Sequence, residues 1–138
     1  MANVLYPKFK ESLLAGDANS DLDNNTTTDG VFVALVDTAS YTYNATHQFY
    51  SSLSGVTGTD QRITSPTVVG GLFDGNDVTF TSVTGPSIEA IVLYRKNSGA
   101  NTTWRLVAYI DTGVTGLPVT PNNGDISVIW NASGIFAL

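Results

Sequence analysis

"VFVALVD", residues 31–37, is the stretch that decides the fold: six apolar residues run without a break before Asp37. A half-buried strand alternates apolar and polar residues, so an unbroken run this short fits a strand covered on both faces. The segments around it read as strands too. "DVTFTSV" (77–83) alternates, with Val78 and Phe80 on one face and Thr79 and Thr81 on the other. "SIEAIVLYRK" (87–96) and "WRLVAYID" (104–111) flank "NSGAN", the pattern of a β-hairpin. In the second of these, Trp104, Leu106, Ala108 and Ile110 are expected to line one side. "DISVIWN" (125–131) and "GIFAL" (134–138) follow the turn "TPNNGD". Short strands between Gly, Asn and Pro punctuation indicate a sandwich or barrel. The reading is all-β: a single-domain β-sandwich over residues 1–138, jelly-roll-like or related, with two short helices.

Composition agrees. The chain has 138 residues, enough for one domain with a real core. Only 13% of residues are charged, and Ser, Thr, Asn and Gly supply much of the polarity, which suits strands and turns better than helical surfaces. With no cysteine there is no disulfide framework, thiolate metal site or cysteine nucleophile. The net charge of −6 argues against nucleic acid or an anionic membrane as partner. No apolar run approaches the roughly 20 residues that span a bilayer. "MANVLYPKFKESLLAG" lacks the basic-then-apolar order of a signal peptide, so synthesis in the cytoplasm is expected.

Two segments carry helical signals. In "YPKFKESLLAG", Pro7 can take the first helical position, Phe9 and Leu13 lie four apart, and Gly16 can close the end, giving a helix over 7–15. In "NATHQFYSSLSG", Asn44 can cap, Phe49 and Leu53 share a face and Gly55 terminates, giving a helix over 45–54. Between the first helix and the first strand, "DANSDLDNNTTTDG" (17–30) reads as an exposed acidic loop.

That loop invites a calcium test. Asp17, Asn19 and Asp21 match the first three ligand positions of the helix–loop–helix site, but Leu22 replaces the turn glycine and Thr28 the bidentate glutamate. A solvated loop is the preferred reading, and no metal or cofactor is expected. His47 is the single histidine, which excludes multi-histidine zinc sites, and no G-x-S-x-G elbow accompanies it. "VVGGLFDG" (68–75) has paired glycines without a phosphate-loop lysine and reads as a bulge or turn. Glycosylation sequons at Asn24, Asn25, Asn44, Asn101 and Asn131 are expected accidents of an Asn/Thr-rich chain. Trp104, Trp130, Tyr41 and Tyr43 form a candidate sugar-stacking platform, although core positions are expected for both tryptophans. No catalytic constellation emerges, and no enzyme activity is expected.

The segments "VLYPKFKESLLAG", "VFVALVDTASYTYNATHQFYSSL", "FDGNDVTFTSVTGPSIEAIVLYRK" and "RLVAYIDTGVTGLPVTPNNGDISVIWNASGIFAL" resemble a family of small virion structural proteins of tailed bacteriophages. The resemblance runs in order over nearly the whole chain. It is most recognisable at Tyr6-Pro7-Lys8-Phe9-Lys10, Ala34-Leu35-Val36-Asp37-Thr38 and Gly116-Leu117-Pro118-Val119-Thr120-Pro121-Asn122. Loop 17–30 departs from it in being longer and more acidic. The resemblance implies a virion component, made in the bacterial host, with no catalytic residues to carry over. Size, the single domain and the lack of ligand chemistry favour capsid decoration. The alternative is a tail, neck or fibre module contacting other tail proteins or host-surface glycans, with Tyr41, Tyr43 and Tyr50 exposed for the purpose.

The expected partners are the major capsid protein or other virion proteins, with a homo-oligomer also expected. A docking surface needs apolar side chains and few charges at its centre. The two chain ends supply them, so the candidate interface residues are Val4, Leu5, Tyr6 and Phe9 at one end and Ile135, Phe136 and Leu138 at the other. The competing reading is that both ends complete the domain's own core.

Because the 17–30 loop fails the calcium pattern at two required positions, added calcium should leave the melting temperature unchanged. A clear rise with calcium would reveal a looser oxygen cage.

Overall fold

The computed structural model describes residues 3–24 and 26–138; the sequon at Asn25 lies outside them. The fold is mostly β. It has ten strands, one α-helix and two 3-10 turns, at Tyr50–Ser52 and Asn101–Thr103, among the described residues. The largest sheet is antiparallel and is built from β1 (Val4–Leu5), β2 (Gly30–Val36), β3 (Val56–Arg62), β7 (Ala90–Lys96) and β8 (Arg105–Ile110), in the order β1-β8-β7-β2-β3. A three-stranded sheet joins β4 (Thr67–Val69), β5 (Leu72–Asp74) and β10 (Phe136–Ala137), and β6 (Val78–Phe80) pairs with β9 (Ile126–Val128).

All seven residues of β2 are buried, as the unbroken apolar run demands. Its register with β7 sets two faces. Val31, Val33 and Leu35 lie opposite Arg95, Leu93 and Ile91 on one face, and Phe32, Ala34 and Val36 lie opposite Tyr94, Val92 and Ala90 on the other. The first face meets the small sheets, because Leu5, Ala108 and Ile110 line a common cavity with Ile135, Phe136 and Ala137. The second is covered by the 38–53 segment, whose Tyr41 and Tyr50 pack on Tyr109 and Tyr94.

The hairpin between β7 and β8 forms around residues 97–104, but its second strand does not keep strict alternation. Leu93 pairs with Ala108 while the next residue, Tyr94, pairs with Leu106, so β8 carries one extra residue, Val107. This bulge puts Trp104 and Leu106 on the Tyr94 face and Ala108 and Ile110 on the Leu93 face. The expected single row of these four residues is therefore split between faces.

The helix α1 spans Pro7–Ala15, with Pro7 in its first turn and Gly16 in the left-handed region at φ 68°. The Gly16 and Asp17 N–H groups close its end on the carbonyls of Leu13 and Ser12. The helix expected over 45–54 does not form. That segment instead lies along the start of β8: the Leu106 N–H donates to the Gln48 carbonyl at 2.9 Å and the Tyr50 N–H to the Trp104 carbonyl at 2.8 Å. Those bonds need extended backbone around Phe49 and leave only a 3-10 turn. The paired glycines form a turn, Gly70 and Gly71 both with positive φ (61° and 78°), between β4 and β5. That is the tight hairpin geometry glycine permits.

Loop 17–30 is not simply solvated. Leu22 is buried, and two arginines hold the segment to the sheet. Arg95, only 2% exposed, donates through Nε to the Asp21 carbonyl at 2.7 Å and through a terminal nitrogen to Asp21 Oδ1 at 3.0 Å. Arg105 Nε reaches the Ala18 carbonyl at 3.0 Å. Replacing Arg95 by Met should cost about 1–3 kcal/mol, because carbonyls that it satisfies lose their donor. Urea unfolding would show a lower midpoint, and limited proteolysis faster cleavage within 17–30. An unchanged midpoint would mean that water replaces the guanidinium without cost.

Candidate functional site

The first four proposed interface residues belong to the fold itself. Tyr6 and Phe9 are 0% and 1% exposed, which removes them from any docking surface. Tyr6 donates its N–H to the Val107 carbonyl and shares a 2.8 Å hydroxyl hydrogen bond with Tyr41, while Val4 and Leu5 pair with Tyr109 and Ala108 and are half-buried. An edge strand followed at once by a helix turns these side chains inward. At the other end, Ile135 and Phe136 are half-buried over β5, with the Phe136 and Phe73 rings 5.3 Å apart. Leu138 donates its N–H to Gly71 and leaves its side chain 70% exposed. Of the seven, Leu138 alone is a fully exposed apolar side chain.

Around Leu138 the structure gathers residues that the sequence reading did not single out. A cleft of about 230 Å³ opens between the end of α1, loop 17–30 and the β4–β5 hairpin. Leu13, Leu22, Val68, Phe73, Phe136 and Leu138 form its apolar walls, with Ser20, Asp21 and Asp23 at its polar side. Five large apolar residues are exposed among the described residues: Leu14, Val68, Val69, Ile129 and Leu138. Of these, Val68 and Leu138 line this cleft. One signal was available in "TVVGG": two consecutive valines in a short strand point to opposite faces, so a lone edge hairpin struggles to bury both.

A second surface lies on the other face of the large sheet. Phe32 on β2, Tyr94 on β7 and Trp104 just before β8 form a row of rings, with Phe32–Tyr94 centroids 5.9 Å apart and Tyr94–Trp104 centroids 5.8 Å apart. Trp104 is half-buried, contrary to the core position expected of it, and Trp130 is buried with its indole N–H on the Asn76 carbonyl. The bulge at Val107 brings Trp104 to this row. Beside it, Asp60 Oδ2 accepts from the Tyr94 hydroxyl at 2.7 Å and the Tyr50 hydroxyl at 2.9 Å. Asp60 Oδ1 is buried and accepts no hydrogen bond among the described residues. Burial raises the Asp60 pKa above the ordinary aspartate range, against the opposing pull of the two tyrosine hydroxyls and of Lys96. The Lys96 ammonium lies 4.8 Å from the Phe32 ring centroid and 4.9 Å from that of Trp104. The Tyr50 and Tyr94 hydroxyls are pushed up, first by burial and then by the Asp60 charge.

His47 is half-buried, and its Nδ1 shares a 2.8 Å hydrogen bond with the Tyr41 hydroxyl, which links it to Tyr6. Tyr41 is buried rather than displayed, while Tyr43 and Tyr50 are half-buried. Within loop 17–30, Asp21 is turned to Arg95, and among the described residues no three His, Asp or Glu side chains group as metal ligands. No helix is long and apolar enough to cross a membrane among the described residues. The chain matches no protein-family model and no curated protein sequence.

The folded state binds the Asp60 proton more tightly than the unfolded chain does. Its ionised form therefore costs stability at neutral pH, and this cost is relieved as pH falls toward the ordinary aspartate range. Wild type should gain stability relative to Asp60→Asn as pH falls from neutrality toward about pH 4, the ordinary aspartate range, read from denaturant midpoints. A difference that does not move with pH would show that Asp60 titrates as it does in the unfolded chain.

Proposed function

We infer that the protein is a non-enzymatic structural component of a tailed-bacteriophage particle, one that decorates and stabilises the capsid shell. The observation that carries this reading is the apolar cleft itself, where the exposed side chains of Val68 and Leu138 meet Leu13, Leu22, Phe73 and Phe136. Scattered apolar residues are ordinary on a surface, but a contiguous group rimmed by polar residues marks a contact with another protein. The resemblance to small virion proteins supplies the setting. A protein bound in many copies to a repeated lattice needs only a modest contact at each site, and a cleft of this size offers that.

The partner's chemistry follows from the surface. Asp23 is exposed at the polar side of the cleft, next to an Asp21 already paired with Arg95, so a capsid protein offering an apolar side chain flanked by a basic residue fits it. Apolar contact at the centre makes binding resist salt, while the acidic rim adds a smaller salt-sensitive part. Particle location and any self-association belong to the same proposal.

Co-sedimentation of the purified protein with capsids of the phage that encodes it tests the reading. Binding should survive high salt, and the pair Val68→Asp and Leu138→Asp should weaken it at least about tenfold. Both side chains are exposed, so thermal stability should stay near wild type. If the doubly substituted protein stays folded and binds capsids normally, the cleft is not the attachment surface. If the intact protein assembles onto tails and ignores capsids, the capsid assignment fails.

A further inference from the structure

The aromatic surface on the opposite face of the sheet is not used by that attachment. A groove of about 380 Å³ runs along it, with Trp104, Tyr50 and Tyr94 as aromatic walls and Thr59, Asp60 and Lys96 as polar lining. This volume falls in the lower part of the range of small-ligand sites, room for about one or two sugar rings. Its walls are set in place before any ligand arrives. The Trp104 indole N–H donates to the Gly99 carbonyl at 3.0 Å, and Asn97 Oδ1 braces the same loop by accepting from the Gly99 N–H at 2.6 Å and the Thr103 hydroxyl at 3.2 Å. Tyr50 is fixed at its ring by an edge contact with Trp104, centroids 5.3 Å apart, and at its hydroxyl by Asp60. A rigid aromatic wall binds with little loss of conformational freedom.

The lining discriminates among ligand classes. An organic cation would compete with the Lys96 ammonium, which already lies over the Phe32 and Trp104 rings. Nucleic acid is disfavoured by the net charge of −6. A purely apolar ligand would strip water from Lys96, Asp60 and Thr59 and give nothing back. A neutral sugar meets all three demands: its C–H face lies against an aromatic ring, and each hydroxyl both donates and accepts.

We propose that this groove is a binding site for a neutral saccharide, a pyranose ring resting against Trp104 and Tyr50 while its hydroxyls bond to Asp60 and Lys96. Asp60 supplies the acceptor. Its Oδ2 is held by two tyrosines and its Oδ1 has no donor among the described residues, so the carboxylate, which lines the groove, keeps accepting capacity for a ligand hydroxyl. Lys96, which also lines the groove, supplies the donor. Because the groove and the apolar cleft lie on opposite faces of the large sheet, a copy attached to a particle can still present the groove. The site therefore stands or falls separately from the capsid reading.

Titration of the full-length protein with methyl glycosides of glucose, galactose, mannose and N-acetylglucosamine, and with their linear trisaccharides, tests it by two-dimensional NMR. At least one should shift the Trp104 indole and the Thr59 and Lys96 amides saturably, with a Kd of about 1 mM or tighter. Trp104→Phe identifies the indole resonance. Trp104→Ala and Lys96→Met should each weaken binding at least about fivefold. Lys96→Met keeps most of the apolar stem and serves as the deciding variant if Trp104→Ala does not fold. The proposal is overturned if no sugar shifts these resonances, or if a folded Lys96→Met variant binds as wild type does.

Discussion

Burial of β2 on both faces is the constraint from which the rest of the structure follows. A strand with six apolar residues in succession cannot leave either face of its sheet in water, and β7, its neighbour, is equally apolar through Tyr94. A single sheet therefore needs two covers. One comes from the short strands β5 and β10 with α1 and loop 17–30, the other from the tyrosine-rich 38–53 segment. Neither cover has enough regular structure to stand alone. Each is held by what the sheet offers it: Arg95 and Arg105 fasten the acidic loop, and the Gln48 and Trp104 carbonyls receive N–H groups that tie the second cover to β8.

The two covers bury different chemistry because one bulge changes the order of side chains in β8. With strict alternation Trp104 would share a face with Ile110, among aliphatic neighbours. The extra residue at Val107 moves it to Tyr94 and Phe32, and the aromatic row then extends from β2 across β7 to the residue just before β8. The hydroxyls along this face find partners in one another and in acids. Tyr6, Tyr41 and His47 form one chain of hydrogen bonds, and Tyr50, Tyr94 and Asp60 another. Buried tyrosines keep their polar ends satisfied in this way, so the second cover is specified by hydrogen bonds where the first is specified by apolar packing.

These origins explain what could be read from the sequence. The double-faced strand, the 97–104 hairpin and α1 were legible because their signals are local: an unbroken apolar run, a turn between two runs, a proline and glycine nine positions apart at the helix ends. The 45–54 segment misled because Phe49 and Leu53 have helical spacing, yet backbone bonding to β8 outweighs a propensity worth only tenths of a kcal/mol per residue. Trp104 was misplaced because a bulge leaves no mark in an alternating pattern. Loop 17–30 looked solvated because the arginines that bind it stand some 70 to 90 residues further along the chain. Of the candidate interface, Tyr6 and Phe9 were chosen for being apolar near an end, and apolarity alone cannot separate a core residue from a contact residue. The exposed valines of β4 and the Asp60 site depend on which strands lack neighbours and which side chains converge, and only the folded chain settles that.

Asp60 remains the feature that stability does not explain. Burying a carboxylate raises its pKa and costs folding free energy whenever it is ionised. A residue kept only to brace two tyrosines could be neutral, since an amide oxygen accepts a tyrosine hydroxyl as well. The carboxylate instead brings a second oxygen that has no donor among the described residues, beside a groove walled by fixed rings and an ammonium. Natural folds leave few buried acceptors unsatisfied, and those they leave tend to have a use that packing does not reveal. On the opposite face, the cleft around Leu138 departs from ordinary surface design in the reverse direction, leaving apolar groups in water. One sheet thus carries an under-satisfied polar site on one side and an under-covered apolar site on the other. Each departure costs the isolated domain free energy, which a ligand or partner bound there would offset.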